Sequence, residues 1–214
     1  MRIIRDQLPA LRQSLRLREA TGKPALIAAT LNNMGNTYYQ QQNYVAAIES
    51  YQKAVATFNP ADDKPAIAAA LNNMGSAHYL QGNYGAAREA YQKSLTMTEQ
   101  LQDRAGQSTS LMGIGLAYYA QGNYPLALEH LQKNLALSEA LNDKNRLAET
   151  LHALGLAHAR QQNYDLALTS YGRSLKLYEE MSNRPGAAVM LSLMGGIYYA
   201  QGNYDRALER YQQA

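Results

Sequence analysis

Apolar and small residues recur along the chain at spacings of three and four, in pairs of runs separated by a short polar break. Leu71, Met74, Gly75 and His78 form one such run, and Tyr84, Ala87, Arg88 and Tyr91 form the next. That spacing places residues on one face of an α-helix, so each run predicts a helix and each break a turn. Leu31, Leu71, Leu111, Leu151 and Leu191 open successive copies of the pair, forty residues apart and without insertions. Self-similarity at a fixed period of this order marks a chain whose units bury their apolar faces against their neighbours. The pattern predicts an all-α fold of stacked antiparallel helix pairs.

The columns of the repeat carry further expectations. Gly35, Gly75, Gly115, Gly155 and Gly195 fall inside stretches that otherwise favour helix. Glycine there costs roughly 1 kcal/mol relative to alanine, so a second helix is expected to cross too closely for any side chain. Ala47, Ala87, Ala127, Ala167 and Ala207, twelve residues later, would supply the facing surface. Gly82 reads as a left-handed cap ending a first helix, with Gln42 and Gln162 weaker substitutes in two copies. Pro65, Pro125 and Pro185 suit first turns, where a missing N–H is harmless. Pro60 falls where other copies are still helical, so that helix is expected to end near Phe58.

The segment at 31–55, LNNMGNTYYQQQNYVAAIESYQKAV, and its four relatives resemble the tetratricopeptide repeat, with Gly35, Tyr38, Ala47, Tyr51 and Ala54 in that motif's small and aromatic places. The period exceeds the roughly 34 residues usual for the family. It is similar to the extended repeats of kinesin light chains, of spindle-orientation scaffolds and of many bacterial arrays. The resemblance implies a right-handed α-α superhelix whose first helices line a concave, peptide-binding groove.

One array is expected over the whole chain, with a partial repeat at 1–22 acting as a cap helix. Full repeats follow at 25–62, 65–102, 105–142 and 145–182, and a truncated one at 185–214. Ile4, Leu8, Leu11, Ser14, Leu15 and Leu17 fall in register with Tyr164, Leu168, Tyr171, Ser174, Leu175 and Leu177, so the chain opens on a second helix. Both ends cut repeats open. Exposed ends of that kind invite copies to pair end to end, giving a homo-oligomer.

Composition narrows the function. Cysteine is absent, which removes disulfides and thiolate metal sites. No apolar run nears the roughly 18 residues of a membrane span, and Met1 to Ala20 lacks a signal core, so a cytoplasmic protein without membrane contact is expected. The net charge of +3 resides in residues 1–20, where five arginines face two acids; the remainder balances. A neutral array has little pull on phosphate, which argues against nucleic acid.

Opposite the buried column of Leu31, Gly35 and Tyr38 lies the face that the resemblance assigns to the groove. In the first two copies it carries Asn32, Asn33, Asn36, Gln40, Asn72, Asn73 and Ser76. Later copies are apolar there, with Met112, Gly113, Leu116, Ala153, Leu156 and Leu193. Asparagine both donates and accepts, so it can hold peptide backbone whatever the side chains. Aliphatic positions further along would bury anchor side chains. Tyr39, Tyr79, Tyr119 and Tyr199 form an amphipathic shoulder, with inter-repeat packing as their alternative role. Glu149 and Arg160 are the charged groups of the central columns, so a clamp of several cations for a terminal carboxylate is not matched.

Catalytic signatures dissolve into the repeat. The SxxK at Ser50 to Lys53 loses its serine to Ala90 in the next copy, and the GxG of Gly113 and Gly115 lies within a helix. His78 and His158 stand in the column of Tyr38, Tyr118 and Tyr198, while His130 and His152 lie elsewhere, without metal-ligand spacing. No enzyme activity and no cofactor are expected. The leading expectation is a scaffold that binds a peptide segment of a partner in its groove. The rivals are a self-assembling structural array and a regulatory arm of a larger protein.

Overall fold

The computed structural model describes residues 2–214, with side chains from Gln7 onward; Ile4, placed in register above, lies outside the described side chains. Among the described residues there are eleven helices and no strand. They are α1 (Arg2–Thr21), α2 (Pro24–Gln40), α3 (Tyr44–Thr57), α4 (Lys64–Leu80), α5 (Tyr84–Gln100), α6 (Arg104–Ala120), α7 (Tyr124–Ala140), α8 (Lys144–Arg160), α9 (Tyr164–Glu180), α10 (Arg184–Ala200) and α11 (Tyr204–Gln213). The chain forms two compact units, one reaching Ala117 and the other running from Tyr118 to Ala214.

Local chemistry sets the helix ends. The turns place Gly82, Gly122 and Gly202 at φ of 79°, 77° and 75°, and hold Gln42 and Gln162 in the same left-handed region at 59° and 60°. Each is the αL residue that reverses the chain after a first helix, and a non-glycine there costs roughly 1–2 kcal/mol. The asparagine that follows caps the second helix. Asn43 Oδ1 accepts from Ala46 N–H at 3.2 Å, and Asn123 and Asn203 repeat the contact. Pro24, Pro65, Pro125 and Pro185 occupy first turns. Pro60 stops α3 at Thr57, with Phe58 as its cap, and leaves α3 at 14 residues where α5, α7 and α9 have 17.

In the first unit α2 packs on α3, α3 on α4 and α4 on α5, while α1 lies against α2 and the first helices α2 and α4 touch. Ala28, Leu31, Phe58, Ile67 and Leu71 form one buried cluster, with Leu15 of α1 and Met97 of α5 against it. In the second unit α7 packs on α8, α8 on α9, α9 on α10 and α10 on α11, and Tyr171, Tyr178, Met190 and Met194 form a buried cluster where α8, α9 and α10 meet. Burying such side chains stabilises by about 1.5–3 kcal/mol each. Polar seams hold the crossings: Ser94 Oγ donates to the Ala68 carbonyl at 2.9 Å, and Ser174 Oγ to the Ala148 carbonyl at 2.8 Å.

The glycine column has a different cause from the one expected. A Cβ on Gly75 would lie 2.8 Å from the ring of Tyr91, and Gly35, Gly155 and Gly195 face Tyr51, Tyr171 and Tyr211 in the same way. The close neighbour is thus an aromatic ring on the following helix, not the alanine column. Those alanines are buried elsewhere, Ala47 for instance clustering with Ile48, Tyr51 and Ala77. In α1, Leu8, Leu11, Ser14 and Leu15 are half-buried, whereas Leu17 is 64% exposed and does not share the packing of Leu177.

Candidate ligand-binding face

Two adjoining hollows open on the first-helix side of the first unit. One, of about 400 Å³, is bounded by Gln7 and Leu11 of α1 and by Asn33, Asn36 and Gln40 of α2. The other, of about 300 Å³, shares Asn36 and Gln40 and adds Tyr39, Tyr51, Asn73 and Ser76. Asn33 and Gln40 are exposed, and among the described residues their side-chain amides take no partner within the fold.

The other polar residues here are partly committed inward. Tyr51 is buried to 1% exposure, and its hydroxyl donates to Asn36 Oδ1 at 2.8 Å. Asn73 Nδ2 donates to the same oxygen at 3.1 Å, so both lone pairs of that carbonyl are used. Asn36 Nδ2 and Asn73 Oδ1 keep their capacity toward the hollow. One repeat on, Ser76 Oγ donates to the Asn72 carbonyl at 3.1 Å and sits 3.0 Å from the Tyr91 hydroxyl, from which it therefore accepts. Burial pushes the Tyr91 phenol up to about 12 and raises that of Tyr51 further, so both remain neutral donors. Sequence reasoning missed this pairing of a second-helix tyrosine with the polar residue fifteen positions earlier. Its visible signal is that Asn36 and Ser76 precede Tyr51 and Tyr91 at that spacing.

Several expected groove residues lie elsewhere. Asn72 is buried, its Oδ1 accepting from Ser110 Oγ at 2.9 Å, and so belongs to the seam between helices. Asn32 is half-buried with its Oδ1 enclosed. Gly113 is buried under the Tyr91 ring, while Met112 and Leu116 are half-buried. In the second unit Ala153 is buried, and Leu156 and Leu193 pack half-buried against the cluster around Tyr171 and Met194. Asn32, Asn72 and Met112 are shoulder positions that meet the neighbouring helix, whereas Gly113, Ala153 and Leu193 share the column of Asn33 and are covered because side chains such as the Tyr91 ring reach that face in the later copies.

The tyrosine shoulder pairs across each turn. Tyr39 stands edge-on to Tyr44 with centroids 5.7 Å apart, and Tyr79 with Tyr84, Tyr119 with Tyr124, and Tyr199 with Tyr204 repeat the contact at 5.4–5.6 Å. Such pairs add about 0.5–1.5 kcal/mol beyond their area. Tyr39 both makes this contact and walls a hollow. Arg160 is exposed, and its Nε donates to the Tyr119 hydroxyl at 3.1 Å, which raises its pKa.

Two histidines pack on aromatic rings, His152 lying 6.4 Å from the Tyr171 ring. His130 stacks on Tyr118 at 5.5 Å, and burial lowers the pKa of His78, His130, His152 and His158. Among the described residues no group of three or more His, Asp or Glu could hold a metal ion, and no helix is long and apolar enough to cross a membrane.

The tetratricopeptide repeat family model matches residues 26–100, 106–180 and 147–214. The chain belongs to the tetratricopeptide repeat family. No curated protein matches it by sequence. Among solved structures, BtubC (BKLC) from P. vanneervenii superposes with a TM-score of 0.85 at 14% identity, over 98% of this chain and 89% of that one. The apo form of RapI gives 0.82 at 16% identity over 94% of this chain, which spans 56% of that protein's length. A Rap protein complexed with competence and sporulation factor gives 0.74 at 19% identity, over 93% of this chain and 56% of that one. These likenesses establish the fold, an all-α tetratricopeptide solenoid of stacked helix pairs.

Proposed function

We propose that this tetratricopeptide array is a protein-interaction scaffold that holds an extended peptide of a partner along the first-helix side of its first unit. The observation that carries the reading is the pair of joined hollows whose wall presents Asn33, Gln40, Asn36 Nδ2 and Asn73 Oδ1, amide groups with hydrogen bonds still to make. Donors and acceptors alternating without charge suit main-chain amides of an extended segment. The family relationship supports the reading. So does a structure of the same fold, the Rap conjugation gene regulator of the plasmid pLS20, which was solved in complex with the Phr* peptide. We infer further that the chain binds without catalysing a reaction, since each motif with chemical content lies in a column that other copies fill with inert residues.

Phage-displayed random peptides selected on the full chain test the reading. Enriched peptides, resynthesised, are expected to bind Asn33→Ala/Gln40→Ala at least about tenfold more weakly, the equivalent of one or two lost hydrogen bonds. The melting temperature should stay unchanged, because neither side chain supports the fold. Selection that enriches nothing, or peptides indifferent to both substitutions, removes the groove from consideration.

A further inference from the structure

A third hollow, of about 530 Å³, opens on a different side of the first unit, over α4 and between α3 and α5. Its lining is mostly apolar, with Val55, Leu71, Met74 and Met97, and its polar members are Gln52, Lys93, Thr96 and Gln100. No carboxylate lines it. The size and the apolar lining with few polar groups are those of a ligand site, and the methionines adapt readily to an incoming side chain.

The repeat itself supplies the comparison. In the second unit two residues match Lys93: Lys133, whose Nζ donates to Glu129 Oε1 at 2.7 Å within its own helix, and Arg173, whose Nη2 donates to Glu139 Oε1 at 2.8 Å across to the preceding second helix. Glu139 belongs to the last turn of α7, which runs to Ala140. The position matching Glu139 in the first unit is Asn59, and α3 has already ended at Thr57 because of Pro60. Asn59 is held in its loop, its Oδ1 accepting from Ala61 N–H at 3.1 Å and its own N–H donating to Asp63 Oδ2 at 2.9 Å. Lys93 is exposed and, among the described residues, makes no ion pair, neither with the loop at 59 nor with Glu89 four residues back on α5. The array lacks one helical turn at this place, together with the acid that its sister turn provides.

We propose that this hollow receives a short amphipathic helical segment of a partner protein, whose aliphatic side chains settle on Met74 and Met97 and whose carboxylate pairs with Lys93. Charge complementarity picks the occupant: an apolar bed with a single cation at its edge and no acid asks for an apolar helix turn bearing an acid. The surface is separate from the amide-lined hollows and independent of the peptide proposed there.

A fluorescein-labelled peptide of residues 129–143 carries the sister turn, with Leu135 and Glu139, and serves as the probe in anisotropy titrations of the full chain. Saturable binding is expected, weakened at least tenfold by Lys93→Glu, an exposed site where the fold tolerates change. Binding should return when the peptide carries Glu139→Lys. Asn59→Glu/Pro60→Ala, which rebuilds the missing turn, should also abolish capture, while Asn33→Ala/Gln40→Ala should leave it intact. Absence of saturable binding, indifference to Lys93→Glu, or loss on Asn33→Ala/Gln40→Ala overturns the proposal. Binding of dodecanoate that depends on Lys93, without binding of the peptide, overturns it in favour of an anionic amphiphile.

Discussion

Asn33 and Asn36 occupy one helix face, three residues apart, yet their energetic roles diverge. Asn36 Oδ1 is the acceptor of the Tyr51 hydroxyl, a group enclosed in the first unit. Removing the carbonyl strands a desolvated donor, which costs about 1–3 kcal/mol. Asn33 has no such dependant. Asn36→Ala should therefore lower unfolding stability by about 1–3 kcal/mol, whereas Asn33→Ala should change it by no more than about 0.5 kcal/mol. Urea titrations of the two variants decide the matter; equal losses would mean that the Tyr51 bond contributes nothing. The same pair shows the limits of reading the chain alone. Helical periodicity exposes which columns face away from the core, and Asn33 and Gln40 in those columns are exposed. It could not distinguish Asn72 from Asn73, because one helical step of about 100° separates a buried seam from a hollow. The partner that buries Asn72, Ser110, lies nearly one repeat away.

At the scale of the helix, glycine has two unrelated meanings in this fold. Gly155 in α8 lies under the ring of Tyr171, where an added Cβ would meet ring carbons closer than 3.0 Å. The ring is fully buried and cannot swing aside without moving the α8–α9 contact. Gly172 in α9 has nothing within 4 Å of its Cβ position. Alanine gains roughly 1 kcal/mol of helix propensity at either site, but overpacking takes back about 1–3 kcal/mol at the first alone. Gly172→Ala should accordingly raise the melting temperature, and Gly155→Ala should lower it or at best leave it level. Stabilisation by both would mean that the glycine–tyrosine crossing is loose. The recurrence of glycine forty residues apart was legible as a close approach. The ring that makes the approach was not, because the tyrosine column reads equally well as ordinary helix-face packing and the alanine column is the smaller and more obvious match. Helix ends were the most legible feature, since Pro60, Pro65 and Gly82 act through their own backbone chemistry and need no distant partner.

For the molecule as a whole, the histidines are the side chains whose ordinary titration falls between pH 7 and pH 5, above the carboxylate range. All four have pKa values pushed below the usual imidazole range by burial. Their unfolded values lie near 6.5, so between that pH and the lower folded values the unfolded chain binds more protons than the native one. Stability then rises with pH through this window and is flat above it, which is the sense required when the folded pKa is depressed. The lowered carboxyls of Glu129 and Glu180 begin to matter only in more acidic solution, since both titrate below the ordinary glutamate range. The histidines are unevenly shared, with His78 in the first unit and His130, His152 and His158 in the second. Acidification from pH 7 to pH 5 should therefore loosen residues 118–214 more than those before them. Amide hydrogen exchange, corrected for its intrinsic pH dependence, reads the two units separately. Protection is expected to fall further in the second unit, and His158→Tyr, which restores the aromatic usual in that column, should reduce the difference. Equal losses in the two units would locate the acid sensitivity outside the histidines, and a pH response untouched by His158→Tyr would remove His158 from it.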